Sequence, residues 1–270
     1  MAERSFKDIE RAGWNERANV YEDTTALTTI QSIPALLAAV KLRPRTDLLD
    51  ICSGPGYAAG AALALGANPT GIDFAAEMVT VAARRFPGCR FEIGDAENLK
   101  FADETFDAAV CNFGGFHFAH AERAFGEAYR VLKPSGRYAF SQWMGLGECD
   151  FFDTIFAILN ETVNMDVGLP EAPLPFRFSD RDTCRDCLEA AGFQDIEITD
   201  VANRLHVSAS ENFADMFRKF SVRITMILDL QTTETRQRFE ESLNAAMKRF
   251  VQGDDYVIPM PSIVVSGQKN

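Results

Sequence analysis

The sequence predicts a three-layer α/β fold built on a mostly parallel sheet, and three observations predict it. Between residues 47 and 143, short apolar runs containing β-branched residues alternate with longer segments of helical period. The first apolar run leads directly into a glycine turn, Gly54-Pro55-Gly56, and then into a helical segment. A chain of 270 residues that is 47% apolar can also bury a large core as one domain with insertions.

Taken in order, residues 5–40 are expected to form one or two helices carrying Trp14, Tyr21 and the Leu36-Leu37 pair. Strands are expected at Asp47–Cys52, Thr70–Asp73, Arg90–Ile93, Phe106–Asn112 and Arg137–Trp143. Helices fall between them at Tyr57–Leu65, Ala75–Arg85 and Ala121–Leu132, the last stopped by the turn Lys133-Pro134-Ser135-Gly136. Beyond Met144 the alternation breaks. Asp150–Asn164 reads as an amphipathic helix, followed by a proline-rich crossing from Leu169 to Pro175 that has the character of a lid. Arg181–Ala191 reads as a helix closed by Gly192, then come a strand at Ile196–Val201, a helical insertion from Glu211 to Val251 and a last strand at Ser262–Ser266. The expected organisation is one domain, 1–270. It has N-terminal helices over 1–46, a core over 47–144, helical lid insertions over 145–178 and 208–260, and a final strand over 262–267.

The net charge of −12 argues against phosphate backbones or anionic lipid as partners, since both reward basic surfaces. No apolar run approaches the roughly 20 residues that cross a bilayer, and the first residues lack the apolar segment of a secretory signal, so a cytoplasmic protein is expected. The six cysteines are expected to be reduced thiols. Cys184 and Cys187 form a C-x-x-C, but no nearby Cys or His pair completes a metal site, so packing is the expectation and no metal is assigned.

The segment Leu48-Leu49-Asp50-Ile51-Cys52-Ser53-Gly54-Pro55-Gly56-Tyr57-Ala58-Ala59 carries the strongest signal. Its glycines allow a ligand close to the backbone at the sheet edge where open α/β folds bind cofactors. Gly54, Gly56 and Ala59 also satisfy the dinucleotide pattern G-x-G-x-x-A. Asp50 discriminates between these ligands. A carboxylate near the loop repels the pyrophosphate of a nicotinamide dinucleotide but favours S-adenosylmethionine, which carries an ammonium and a sulfonium and no phosphate. Asp73 ends the second strand, where it can accept hydrogen bonds from ribose hydroxyls of either cofactor.

These segments, with Gly94-Asp95-Ala96-Glu97-Asn98-Leu99, Phe106-Asp107-Ala108-Ala109-Val110-Cys111-Asn112 and Arg130-Val131-Leu132-Lys133-Pro134-Ser135-Gly136-Arg137, resemble the motifs of class I S-adenosylmethionine-dependent methyltransferases. The likeness is to the small-molecule group that resembles the ubiquinone/menaquinone-biosynthesis methyltransferases, and it covers a little over a third of the chain. It implies a Rossmann-like sandwich with a seven-stranded sheet whose last strand is antiparallel. It also implies that Ser53, Gly54 and Gly56 line the methionine portion, Asp73 binds the ribose, and Phe74 and Met78 flank the adenine. Asp95 and Ala96 would meet the adenine edge, Asn112 and Phe113 the amino-acid moiety and sulfonium, and Tyr21 would fold over the cofactor. S-adenosylhomocysteine would be the product. Cys52 departs from the glycine more often found at its position.

Alternatives stand beside several of these residues. Met78 also fits a helix core, Asp73 a helix cap, and Trp143 and Phe152 lid packing as well as an acceptor wall. Methyl transfer is an in-line displacement, so positioning and exclusion of water supply much of the rate. A base is needed where the acceptor must lose a proton. His117, five residues after Asn112, should lie at the cofactor end of the sheet beside Phe116 and is the candidate base, with a purely orienting part as its alternative. The lid regions are rich in Phe, Leu, Ile and Met, with Arg177, Arg204, Arg218 and Arg223 interspersed, which suits a small, partly apolar acceptor carrying an oxygen or carboxylate. A monomer or homodimer is expected. The competing functions are an NAD(P)-dependent oxidoreductase and a cofactor-binding protein of the same fold without transfer activity.

Overall fold

The computed structural model describes residues 4–21 and 25–270. Among the described residues, ten strands run in chain order: β1 Asp47–Ile51, β2 Asn68–Asp73, β3 Arg90–Ile93, β4 Phe106–Asn112, β5 Leu132–Trp143, β6 Gln194–Val201, β7 Arg204–Ser208, β8 Val251–Gln252, β9 Asp255–Pro259 and β10 Ser262–Gln268. The helices are α1 Phe6–Arg17, α2 Ala26–Thr29, α3 Ile33–Ala39, α4 Tyr57–Ala64, α5 Ala76–Arg85, α6 Ala121–Val131, α7 Asp150–Thr162, α8 Arg181–Ala190, α9 Phe213–Phe220, α10 Val222–Asp229 and α11 Thr233–Met247.

Seven strands form the main sheet in the order β3-β2-β1-β4-β5-β10-β6. β10 is antiparallel to both β5 and β6, and the pairings among β1 to β5 are parallel, as the resemblance implied. Period-two alternation assigns each strand residue to a face. Leu48, Val110, Ala139 and Val264 share one core with Leu36 and Leu37 of α3 and Ala58 and Ala62 of α4. Leu49, Ile51, Cys111, Phe140 and Val265 belong to the opposite core with Phe125 of α6 and Leu188 of α8. The chain reverses its direction of winding between β1 and β4, so their carboxyl ends open a crevice where ligands of such sheets bind.

Three elements differ from the sequence expectation. The turn at Lys133–Gly136 is an irregularity inside a longer β5, because pairing with β4 begins at Leu132↔Phe106 and resumes at Arg137↔Ala108. Lys133 fastens it through Asp107 (2.8 Å) and Asp47 (3.2 Å). The region expected to be helical over 208–260 holds three helices, α9 to α11, but ends in a β8–β9 hairpin around Gly253, whose φ is +64°. That hairpin pairs with β7 in a separate three-stranded antiparallel sheet. Leu205, Tyr256 and Ile258 of this sheet pack into an apolar cluster with Leu159 of α7, Phe213 and Phe217 of α9, and Phe239 and Leu243 of α11.

Asp50 sits beneath the β1–α4 turn, 1% exposed, and accepts the Ala59 backbone N–H at 2.9 Å. Its other oxygen is buried without a partner. Burial pushes the carboxyl up from its ordinary 3.8 to about 7, against the lowering by the Ala59 bond and with a smaller upward push from Asp73. A raised carboxyl binds its proton more tightly folded than unfolded. Its contribution is therefore most favourable at acid pH, falls as the unfolded group ionises above about pH 4, and levels off above about pH 7. Asp50→Asn is thus expected to gain stability relative to the parent between about pH 5 and about pH 8, by an amount on the order of 3 kcal/mol at most. Urea denaturation at both pH values checks this; a difference that does not vary with pH would show that folding leaves this carboxyl's proton affinity unchanged.

Candidate active site

A cavity of about 450 Å³ opens at the carboxyl ends of β1, β2 and β4 and extends under the lid helices. Its floor is the glycine loop. Ser53 N–H donates to the Ile72 carbonyl at 2.8 Å, and Gly54 N–H donates to Asp73 Oδ2 at 2.9 Å, so the loop is pinned to the end of β2. Gly54 has a φ of +50° and a side chain there would meet nothing within 4 Å, which leaves its cavity side open for a ligand. Gly56 serves differently. Its φ is +85° and a Cβ would come within 2.6 Å of the Phe91 ring.

Asp73 is 6% exposed, and its second oxygen accepts the Ala75 N–H at 2.9 Å. The cap-like bond and a place on the cavity wall are therefore both present. Burial raises this carboxyl to about 6, although the Ala75 and Gly54 bonds and His117 act in the opposite direction. Each oxygen keeps a lone pair for a hydroxyl donor. Phe74, Met78 and Ala96 line the same end of the cavity, and Met78, 2% exposed, belongs also to a small core with Ala75 and Val81. Asp95 lies there too, but Lys7 of α1 grips its carboxylate at 2.9 Å and Glu97 at 2.8 Å. An adenine amine would meet Asp95 already engaged.

Asn112 and Phe113 end β4. The Asn112 amide donates to the Thr29 carbonyl (3.1 Å) and accepts from Ser141 Oγ (2.7 Å), while Ser141 Oγ accepts the Phe113 N–H (2.9 Å). These bonds hold Phe113 at a φ of +57° and stack its ring on Trp143, with centroids 4.0 Å apart. Trp143 meets Phe152 edge-on at 6.1 Å, and Phe152 packs on Phe176 at 5.0 Å. Trp143 and Phe152 thus pack with lid residues and line the cavity at the same time.

Next to them a short turn, Gly115–His117, presents Phe116 and His117 to the cavity. His117 Nδ1 lies 2.6 Å from Glu10 Oε2, which also accepts Trp14 Nε1–H at 3.2 Å. Glu10 is 3% exposed. Burial raises its carboxyl, but the charge of His117 and the bonds from His117 and Trp14 outweigh that and leave it below the usual range. Glu10 is therefore ionised at neutral pH, so Nδ1 must carry a hydrogen to donate. In the neutral ring Nε2 is then an open proton acceptor. Tyr21 lines the cavity beside Trp14, with its hydroxyl 3.4 Å from Thr29 Oγ1. Burial pushes that phenol up to about 12.

Of the residues singled out from sequence, Tyr21, Gly54, Asp73, Phe74, Met78, Asp95, Ala96, Asn112, Phe113, Phe116, His117, Trp143 and Phe152 share this cavity wall. Asp50, Ser53 and Gly56 do not. Asp50 lies beneath the loop, and Ser53 and Gly56 belong to the loop off the cavity wall, so the electrostatic selection assigned to Asp50 does not operate by direct contact. Sequence reasoning passed over Glu10 and Lys7. Their one signal is the spacing Lys7, Glu10, Trp14, which forms a single stripe on a helix. It also left the lid wall of Phe151, Ile155, Phe217 and Phe220 unnamed.

Residues 49–140 match a family model described as a methyltransferase domain. A demethylmenaquinone methyltransferase of Streptomyces griseus is 36% identical over 109 residues, which cover 40% of this chain and 47% of that protein. The chain spans about half the length of the curated relatives it matches. Among solved structures, the YcgJ protein of Bacillus subtilis aligns with a TM-score of 0.57 and 22% identity over 88% of this chain and 98% of that one. Phosphoethanolamine N-methyltransferase 2 of Haemonchus contortus, in complex with S-adenosyl-L-methionine, aligns with a TM-score of 0.54 and 17% identity over 88% of this chain and 52% of that one. The nicotinamide alternative raised by the glycine pattern is not favoured by these matches. The segment that resembles a methyltransferase domain, residues 49–140, thus lies within a seven-stranded sheet with helical additions on either side in sequence.

Proposed function

We propose that the chain transfers a methyl group from S-adenosylmethionine to a small, partly apolar acceptor, with His117 as general base and Glu10 as the residue that positions it. One observation carries this reading: the Gly54–Asp73 cradle and the His117–Glu10 pair open into the same cavity. When bound, S-adenosylmethionine supplies an electrophilic methyl on a sulfonium. The residues fit such a ligand. Gly54 offers bare backbone, Asp73 keeps acceptor capacity for two hydroxyls, and Phe74 and Met78 offer apolar faces.

The protein's own part is to orient, to exclude water and to move one proton. Phe113, Phe116, Trp143 and Phe152 give the acceptor an apolar seat. His117 Nε2 accepts the proton of a hydroxyl, phenol or activated carbon as it attacks, and Glu10 stabilises the imidazolium that results. The arrangement resembles other histidine bases oriented by a buried carboxylate.

Calorimetry with S-adenosylmethionine, S-adenosylhomocysteine and NADH tests the cofactor. The first two are expected to bind at micromolar concentrations, and Asp73→Ala is expected to weaken them about a hundredfold or more through loss of charge-assisted bonds. Since Asp73 titrates near 6 and only its ionised form accepts two hydroxyls, affinity should hold above about pH 7 and fall by about tenfold per unit well below about pH 6. Binding of NADH alone would sink the proposal.

With an acceptor found by screening phenols and activated carbon acids, His117→Gln is expected to lower kcat by about a hundredfold or more, with little change in cofactor affinity. Glu10→Gln should lower kcat less, because it removes the carboxylate that holds Nδ1 and faces the imidazolium formed during transfer. A kcat that both substitutions leave intact would assign His117 a structural part only.

A further inference from the structure

Resting on the proposed methyl transfer, we infer that the acceptor is a flat, largely apolar molecule bearing one ionised acid group, which docks on Arg223. The four arginines of the lid regions do not share this position. Arg177 is exposed, lies over the Phe178 ring at 5.2 Å and donates to Cys187 Sγ at 3.9 Å. Arg218 is paired with Asp229. Arg204 is exposed on β7, off the cavity wall. Arg223 alone of the four lines the cavity, half-buried on the first turn of α10.

Among the described residues, the Arg223 guanidinium has no hydrogen bond or ion pair. Lys7, the other lysine or arginine on the wall, is spent on Asp95 and Glu97. A half-buried cation facing an apolar chamber without a hydrogen-bonded partner is given one by an anionic ligand. Glu10 is close enough for Arg223 to act on it, yet its carboxylate is engaged by His117 and Trp14. The surroundings reinforce the positive character. Ser221 and Val222 also line the cavity, so the positive end of α10 lies on the same stretch of wall, with its Ile224 N–H capped by Ser221 Oγ. Arg17 stands behind it, donating to the Arg218 and Ser221 carbonyls at 3.5 and 3.2 Å.

The rest of the chamber specifies the body of the molecule. The Phe113–Trp143 stack, Phe152, Phe156, Phe176 and Ile224 give flat apolar surfaces. An acid group on Arg223 fixes one end of a planar acceptor within the chamber that His117 also lines. Aromatic hydroxy acids have this chemistry: a carboxylate to anchor, and a hydroxyl whose proton His117 takes as the methyl–oxygen bond forms and the methyl–sulfur bond breaks, leaving a neutral thioether.

The test measures binding to protein saturated with S-adenosylhomocysteine, so that no turnover is needed. Calorimetry would compare 4-hydroxycinnamate and 3-hydroxy-2-naphthoate with their methyl esters, for the parent, Arg223→Gln and Arg223→Lys. At least one acid is expected to bind tenfold or more tighter than its ester in the parent. That preference should vanish in Arg223→Gln, persist in Arg223→Lys and weaken as salt rises. Retained affinity for S-adenosylhomocysteine in both variants checks that they are folded. Equal binding of acids and esters, no binding of any acid, or an acid preference that survives Arg223→Gln overturns the inference. Failure of S-adenosylhomocysteine to bind the parent instead overturns the methyltransferase reading; the acid–ester comparison then proceeds on the protein alone and still decides the part played by Arg223.

Discussion

The site depends on how the loop between β1 and α4 is held. Two buried carboxylates do it from different sides. Asp73 takes the Gly54 N–H and ties the loop to β2, while Asp50 takes the Ala59 N–H and ties the first turn of α4 back to β1. Both carboxyls are raised by burial, Asp73 to about 6 and Asp50 to about 7, and the charge of Asp73 adds to the rise of Asp50. Such groups are costly to bury, and each offsets part of that cost by satisfying a backbone donor that would otherwise be stranded. Gly54 and Gly56 can then take positive φ values, and the loop presents backbone to the cavity. If the loop moved, the switch-point crevice between β1 and β4 would lose its floor.

The core strands were legible because a buried parallel sheet writes itself locally. Runs such as Leu48-Leu49-Asp50-Ile51 and Ala108-Ala109-Val110-Cys111 are apolar at successive positions because each strand is covered on both faces. The ends of those strands fixed where Asp73, Asn112 and His117 had to lie. The lid was less legible. Its helices were expected, but β7, β8 and β9 are two to five residues long, and their pairing joins residues 204–208 to 255–259 across three helices. The Gly253-Asp254 turn was the available local sign of a hairpin.

Asp50 shows how a residue's place at a strand end can suggest the wrong contact. Its place at the end of β1 suggested a charge facing the ligand, whereas its side chain follows the strand's alternation under α4. Asp73, on the cavity wall, is the charged neighbour that raises its carboxyl further. The same limit explains the omission of Glu10. A glutamate on an amphipathic helix is ordinarily solvent-facing, and nothing local shows that a histidine 107 residues later will meet it.

α1 links the two ends of the cavity. Ser5 and Asp8 close a reciprocal cap at its start, which fixes the first turn. Lys7, Glu10 and Trp14 then fall on one face. Lys7 reaches Asp95 and Glu97 at the end of the cavity shared by Asp73 and Phe74, whereas Glu10 and Trp14 reach His117 near the lid. The distance between those groups is set by a single helical turn or two, which is far stiffer than a loop of equal length. A shift of α1 along its axis would therefore disturb the grip on Asp95 and the orientation of the imidazole together. The two ends of the cavity are in register because one helix, outside the matched segment in sequence, touches both.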